Sequence, residues 1–130
     1  MADHPDAQTA RAAMEAFSKG DMPTFTASLS DDVVWHAPGA NRFSGTFNGK
    51  GDVMARFKEQ AESGAALTFD DIHDIVANDE HVVAMLTLRL TKGDDVLTTP
   101  SVFVMHIRDG KLAEFWGMNE RQAELDALLG

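Results

Sequence analysis

The sequence has 130 residues, 44% of them hydrophobic, which suits one domain with one core, and we expect a single domain over residues 1–130. The net charge of −10 argues against nucleic acid and anionic membrane surfaces as partners, because both are negatively charged. The absence of cysteine excludes disulfides, thiolate nucleophiles and thiolate metal sites. The first ten residues lack a signal-peptide pattern, and no stretch approaches the roughly 18 apolar residues of a membrane span, so we expect a cytoplasmic protein.

Four helices are predicted. Apolar residues recur at three- and four-residue steps over residues 7–19, and Gly20 supplies the stop. Asp21 is placed to cap a second, shorter helix. A third helix is predicted over residues 52–63 and a fourth over residues 120–129. The apolar stripe predicted for the third helix consists of Val53, Met54, Phe57 and Ala61.

The remaining segments are predicted to be β-strands. Two short segments flank the Pro38-Gly39 turn. Four long runs rich in Val, Ile, Leu, Thr and Phe follow at residues 67–77, 81–91, 96–107 and 112–118. Their connections are short turn sequences, so neighbouring strands must be antiparallel and the four form a meander. Helices followed by such a meander predict an α+β fold in which a curved sheet wraps around the helices.

Residues 31–51 have the features of a pocket wall and its rim. Trp35 and Phe43 supply aromatic surface, and the Pro38-Gly39 turn breaks the backbone beside them. Successive residues of a strand point to opposite faces, so Trp35 is predicted to face inward and His36 outward. Several later strands carry apolar residues on both faces. Helices would cover the inner face, and a second copy of the chain would cover the outer one.

Short motifs lie in a defined order along the chain. They are Gly20-Asp21, DDVVWH at 31–36 before Pro38-Gly39, Ser44-Gly45, Gly49-Lys50-Gly51, HDIVAN at 73–78 and RDGKLAEFW at 108–116. Over nearly the whole chain this order resembles the SnoaL-like branch of the nuclear-transport-factor-2-like (NTF2-like) superfamily. The resemblance implies a cone-shaped α+β barrel with a deep apolar cavity, commonly dimeric through the outer sheet face. Its members include steroid isomerases, polyketide cyclases, epoxide hydrolases and dehydratases, and also proteins of no known activity, so fold does not fix function.

The catalytic groups that the resemblance would imply are missing at the matching positions. The steroid-isomerase base falls at Ala37, its tyrosine at Ala13 and its second acid near Val102. A cyclase-like pair would need His106 with Asn119 or Glu120, but the hairpin register separates His106 and Asn119 by about 20 Å. The arginine of an epoxide hydrolase could only be Arg89, which is predicted to face outward.

One histidine pair remains as a candidate for catalysis. Asp71 and His73 are two residues apart on one predicted strand, so the carboxylate could orient the imidazole as in a general base. The alternative is a histidine tied into a structural hydrogen bond. A single His-carboxylate pair does not make a metal site, and we expect neither a metal nor a cofactor. His106 is a candidate to close the narrow end of the cavity. The predicted ligand-binding residues are Trp35, Phe43, Phe57, Thr98, Phe115 and Asn119.

Two functional hypotheses follow from these residues. The first is a cofactor-independent isomerase, cyclase or hydrolase that acts on an apolar small molecule, with His73 as base and Asp71 assisting it. The second is a non-catalytic module that binds an apolar small molecule or serves for dimerisation. Both predict an apolar pocket and a homodimer through the outer sheet face. They differ in whether a titratable side chain faces the cavity.

Overall fold

The computed structural model describes residues 4–130, which form four helices and six strands. The helices are α1 (Pro5–Ser18), α2 (Met22–Ala27), α3 (Lys50–Glu62) and α4 (Gln122–Leu129). The strands are β1 (Leu29–Ala37), β2 (Gly45–Asn48), β3 (Ala65–Ala77), β4 (Val82–Lys92), β5 (Asp95–Arg108) and β6 (Lys111–Asn119). The predicted α+β class and the order of elements are confirmed. Within residues 4–130, no helix is long and apolar enough to cross a membrane.

The six strands form one curved sheet in the order β2-β1-β6-β5-β4-β3. The pairs β3/β4, β4/β5 and β5/β6 are antiparallel, which confirms the predicted meander. β1 lies beside β6 in a parallel pair, and this pairing sets Trp35 next to Phe115. β2 pairs antiparallel with the other edge of β1. The sheet therefore joins the first strand of the chain to the last.

The helices lie on the inner face of the sheet, and strand alternation decides which side chains they cover. Val82, Ala84, Leu86 and Leu88 of β4 are buried, whereas Arg89 is exposed and pairs with a carboxylate on β3. This confirms the predicted faces of β4. On β5 the buried positions are the odd-numbered ones, Leu97, Thr99, Ser101, Phe103 and Met105.

The buried face of α3 differs from the predicted stripe. Val53, Arg56, Phe57 and Gln60 are buried, at spacings of three and four residues. Ala61 is exposed, so its inclusion in the stripe was wrong. The helix turns its 53–56–57–60 surface toward the sheet, which places residue 61 beyond the edge of that surface. Two polar side chains, those of Arg56 and Gln60, therefore point to the interior.

Two irregularities interrupt the pairing of β3 with β4. Phe69 pairs with Leu88 and Asp71 with Thr87, which leaves Asp70 without a partner position. The same happens a few residues later, where His73 is the extra residue. Each extra residue resets the alternation of the strand, as β-bulges do.

Candidate functional site

An apolar cavity lies between the inner face of the sheet and the four helices. The space that the centre of a water molecule can occupy in this cavity is about 90 Å³. This corresponds to roughly six to nine water molecules, or about 180–270 Å³ of liquid. Its apolar walls are formed by Ala13, Met14, Phe17, Phe25, Trp35, Pro38, Phe57, Leu67, Phe69, Leu88, Phe103, Met105, Leu112, Phe115, Gly117, Leu125 and Leu129. The space suits one molecule with one or two rings.

Stacked and edge-on aromatic rings form the main wall. Trp35 lies parallel to Phe115, with ring centroids 3.9 Å apart and an interplanar angle of 12°. Phe57 meets Trp35 edge-on at 5.1 Å, and Phe103 lies 4.8 Å from Phe115. The side-by-side register of Trp35 and Phe115 on β1 and β6 produces the stack. Trp35, Phe57 and Phe115, all predicted as ligand-binding residues, line the cavity.

Polar side chains form a hydrogen-bonded rim at the end of the cavity near α4. Ser101 Oγ donates to Asn119 Oδ1 at 2.5 Å, and Asn119 Nδ2 donates to Gln122 Oε1 at 2.8 Å. Gln122 Nε2 and Asn41 Nδ2 both donate to Asp126 Oδ1 at 2.8 Å. Asn119, predicted from sequence, therefore lines the cavity as one member of this rim, together with Asn41 and Gln122.

Asp126 fixes the loop between β1 and β2 against α4. Its Oδ2 accepts a hydrogen bond from the backbone N–H of Ala40 at 3.0 Å. Burial raises the pKa of Asp126, but hydrogen bonds from Asn41, Gln122 and Ala40 outweigh it and leave the pKa below its ordinary value. Gly39 has φ 92°, and a Cβ there would overlap the carboxylate of Asp126 and the amide of Gln122. The loop can approach α4 this closely because residue 39 is glycine.

Arg56 brings a positive charge to the wall of the cavity. The residue is only 9% exposed, and its Nε donates to the carbonyl oxygen of Phe43 at 3.0 Å. Its guanidinium lies 5.0 Å from the ring centroid of Phe57 and 5.8 Å from that of Phe47. Burial lowers the pKa of Arg56 to about 10, so the group stays protonated at neutral pH. Across residues 4–130, no carboxylate forms an ion pair with it.

Gln60 lies one helical turn after Arg56 and also lines the cavity. It is 4% exposed, and its Oε1 is buried with no hydrogen-bond partner among the described residues. The sequence interpretation missed both residues because it considered only the apolar stripe of this helix. The signal was their spacing of four, which puts Arg56 and Gln60 on one face together with Val53 and Phe57.

The predicted catalytic pair lies outside the cavity. The side chain of His73 is 56% exposed and that of Asp71 65%, and the nearest nitrogen and oxygen of the pair are 3.9 Å apart. His73 borders a shallow groove on the outer face of the sheet, beside Met85 and Met118. The expectation that this pair faces the ligand fails because the bulges of β3 reset its alternation.

Two predicted ligand-binding residues are also placed elsewhere. Thr98 is exposed, whereas its neighbour Thr99 is fully buried, because the odd-numbered residues of β5 face inward. Phe43 is buried in the core but does not line the cavity. Its contribution to the site is the carbonyl oxygen that accepts from Arg56.

The outer face of the sheet holds three of the other histidines. His36 donates a hydrogen bond from its Nε2–H to Glu114 Oε2 at 2.7 Å and stacks on Trp116, as expected for an outward residue. His106 lies 4.6 Å from His81 and 5.3 Å from Trp116, ring to ring. It was predicted to close the narrow end of the cavity. That prediction is wrong, since even-numbered residues of β5 face outward.

In the described part of the chain, no three His, Asp or Glu side chains form a cluster that could hold a metal ion.

Comparison with known proteins supports the fold. The profile of the SnoaL-like domain matches residues 10–115. A Xanthomonas campestris protein of unknown function with a cystatin-like fold is 27% identical, with a TM-score of 0.88 over 95% of this chain and 96% of that one. An NTF2-like protein of unknown function from Burkholderia pseudomallei is 26% identical, with a TM-score of 0.81 over 97% and 98% of the two chains. A candidate polyketide cyclase from Pseudomonas putida is 23% identical, with a TM-score of 0.73 over 94% and 96%. No curated protein matches the chain.

Proposed function

The chain belongs to the SnoaL-like domain family, and we propose that it binds a small apolar ring compound in the cavity between its helices and its sheet. The observation that carries this proposal is the aromatic wall formed by Trp35, Phe57 and Phe115. An apolar cavity with a few convergent polar groups is the usual form of a small-molecule site. Flat ring compounds can stack on such a wall and displace loosely held water.

The size of the cavity sets the expected affinity. A ligand of about ten to thirteen non-hydrogen atoms fits about 180–270 Å³. At roughly 0.4 to 0.6 kcal/mol per atom, ligands of this size gain about 4–8 kcal/mol of binding free energy, so dissociation constants in the micromolar to millimolar range are expected. The assay must therefore detect weak binding.

Tryptophan fluorescence tests the proposal directly. The chain has two tryptophans, and Trp116→Phe leaves Trp35 in the cavity wall as the only indole. In this background a neutral probe, 2-naphthamide, should change the emission of Trp35 in a saturable way. Ala13→Leu should remove binding, because Ala13 is buried and lines the cavity. Ala12→Leu on the exposed side of the same helix is the matched control and should leave binding intact. If neither 2-naphthamide nor any other one- or two-ring compound saturates, the proposal is wrong.

Catalysis by a cofactor-independent isomerase, cyclase or hydrolase is the second candidate. The observation that favours it is Arg56, since a protonated guanidinium in an apolar cavity can stabilise an enolate oxygen. Acid-base chemistry would also need a group that accepts the proton, and His73 and Asp71 lie outside the cavity. Exchange of the α-protons of 2-tetralone in D₂O, followed by NMR, tests this candidate. Exchange above the buffer rate that is lost in Arg56→Met would favour an enzyme, and exchange at the buffer rate would favour a binding protein.

We also propose a homodimer formed through the outer face of the sheet. The support is the apolar character of that face, where Val83, Met85, Val102 and Val104 are partly exposed and Met118 is 50% exposed. Light scattering should give twice the mass of one chain at micromolar concentration, and Met118→Glu should reduce it to one. A wild-type protein that is monomeric throughout would contradict this proposal.

A further inference from the structure

We propose that the cavity selects ring compounds that carry a carboxylate, which Arg56 binds through the two free ends of its guanidinium. This inference rests on the proposed function, because it names the chemical class of the ligand in the same cavity. It assigns to Arg56 and Gln60 a role in recognition that is separate from their packing in α3.

The unpaired charge of Arg56 is the first observation. Burial of a charged group is costly unless an opposite charge or several hydrogen bonds compensate for it. Of the five N–H groups of Arg56, only Nε–H has a hydrogen-bond partner within residues 4–130, the carbonyl of Phe43. The rings of Phe57 and Phe47 compensate part of the charge but accept no in-plane hydrogen bond. Nη1 and Nη2 are therefore available to a ligand.

The geometry of the guanidinium selects the ligand group. Its planar N–H donors match the two oxygens of a carboxylate, and such paired hydrogen bonds are stronger than those between neutral groups. The surrounding wall is apolar, so water competes less for these donors than at the surface. A carboxylate attached to a flat ring would place its oxygens on Arg56 and its ring against the aromatic wall.

Gln60 extends the polar part of the wall. Its position four residues after Arg56 places the two side chains next to each other on the helix. Its buried Oε1 has no hydrogen-bond partner in the described chain. A hydroxyl group beside the ligand's carboxylate would supply the missing donor once the Gln60 side-chain amide turns its Oε1 toward the cavity. We therefore expect hydroxy-substituted ring carboxylates to bind more tightly than the parent acids.

The carboxylates of the protein do not compete for Arg56. Asp126, at the rim, already accepts hydrogen bonds from Asn41, Gln122 and a backbone N–H. Glu59 and Glu62 of α3 are exposed, on the side of the helix away from its buried face. The net charge of −10 opposes the approach of an anion, but physiological salt screens such charges beyond about 8 Å. Binding should therefore be measured at 0.15 M salt, which is about physiological ionic strength.

The test compares two probes of nearly equal shape, 2-naphthoate and 2-naphthamide, in the Trp116→Phe background. We expect the carboxylate to bind about tenfold more tightly than the amide, which is what a charge-assisted pair of hydrogen bonds adds. Arg56→Met should bring the ratio of the two dissociation constants close to one and change amide binding less than about threefold. Arg42→Met is the matched control: it removes an exposed arginine above Phe43, outside the cavity, and should leave the ratio unchanged.

The outcomes separate this inference from the proposed function. If the amide binds as well as the carboxylate in the otherwise unaltered protein, or if Arg56→Met keeps the preference, the inference is wrong and the cavity remains a neutral binding site. If neither probe nor any ring compound binds, both are wrong. Arg56→Lys keeps the charge without the planar fork and is the second variant in case Arg56→Met does not fold. It should retain only part of the preference, and a full preference would contradict bidentate binding.

Discussion

The burial of Arg56 predicts that its removal leaves the protein about as stable as before. In Arg56→Met, a side chain of similar length replaces the guanidinium against the ring of Phe57. Most buried arginines are paired, and breaking such a pair costs roughly 3–5 kcal/mol. Arg56 has no ion pair with a carboxylate of residues 4–130, so a different result is expected.

The magnitude follows from the pKa and from one hydrogen bond. Burial lowers the pKa of Arg56 from its ordinary value to about 10, and this shift corresponds to an electrostatic penalty of about 3 kcal/mol. The methionine variant no longer has this penalty. It also loses the hydrogen bond to the Phe43 carbonyl, which costs about 1–3 kcal/mol if that oxygen stays unpaired. The two changes largely offset each other, and the free energy of unfolding should remain within about 2 kcal/mol of the wild-type value.

Urea denaturation at several pH values provides the assay. The pKa of Arg56 is lower in the folded than in the unfolded chain. Above about pH 10, and up to the ordinary pKa of arginine, the unfolded chain therefore binds more protons and the wild-type protein gains stability as the pH rises. Relative to the methionine variant, this gain should be about 1 kcal/mol at pH 11 and absent at pH 8. The chain has no tyrosine, so no phenol titrates in this window. A loss of 3 kcal/mol or more at pH 8, or a stability difference independent of pH up to 11, would refute the reasoning.

Three further comparisons test the rim and the strand faces by chemical denaturation. Gly39→Ala should lower the free energy of unfolding by about 1–2 kcal/mol more than Gly20→Ala does. Both glycines have positive φ, but only a Cβ at residue 39 would clash with the side chains of the rim. Equal losses would contradict the close approach of Gly39 to the rim. Thr99→Val should lower the free energy of unfolding by about 1–2 kcal/mol and Thr98→Val hardly at all, because only the Thr99 side chain is buried and hydrogen-bonded. The reverse order would contradict the strand register of β5. Asp126→Asn should be less stable than wild type at pH 7. The difference in the free energy of unfolding should disappear as the pH falls through the lowered pKa of Asp126, because the stabilisation is present only while the carboxylate is ionised. A difference that persists at pH 2 would show that the charge of Asp126 is not its source.

Strand alternation made much of the site predictable. A period of two put Trp35 inward and His36 outward on β1, and the same rule put Phe115 and Asn119 on the inner face of β6. Such predictions hold wherever the ladder is regular, because each residue then has a fixed partner and a fixed side. The predicted inward position of Thr98 was wrong although β5 is regular there, because alternation from the buried Phe103 puts the even-numbered Thr98 on the outer face.

The failures have two physical origins. Bulges are set by tertiary packing and leave no clear mark in a short sequence, so the extra residues in β3 displaced His73 from the predicted position. A polar residue on a helix is normally exposed, and nothing local marks Arg56 as buried. Its position depends on the Phe43 carbonyl, which a loop brings from 13 residues earlier in the chain. Sequence patterns thus indicated the apolar wall and missed the charge within it.

The parallel pairing of β1 with β6 also has a kinetic consequence. Trp35 and Phe115 are 80 residues apart in the chain, yet their stack is the main wall of the cavity. Contacts this distant in sequence form slowly, because a long loop must close first. The cavity should therefore be completed late in folding, after the meander. A bound ligand would then prolong the lifetime of the native protein by slowing its unfolding, while the rate of folding would hardly change.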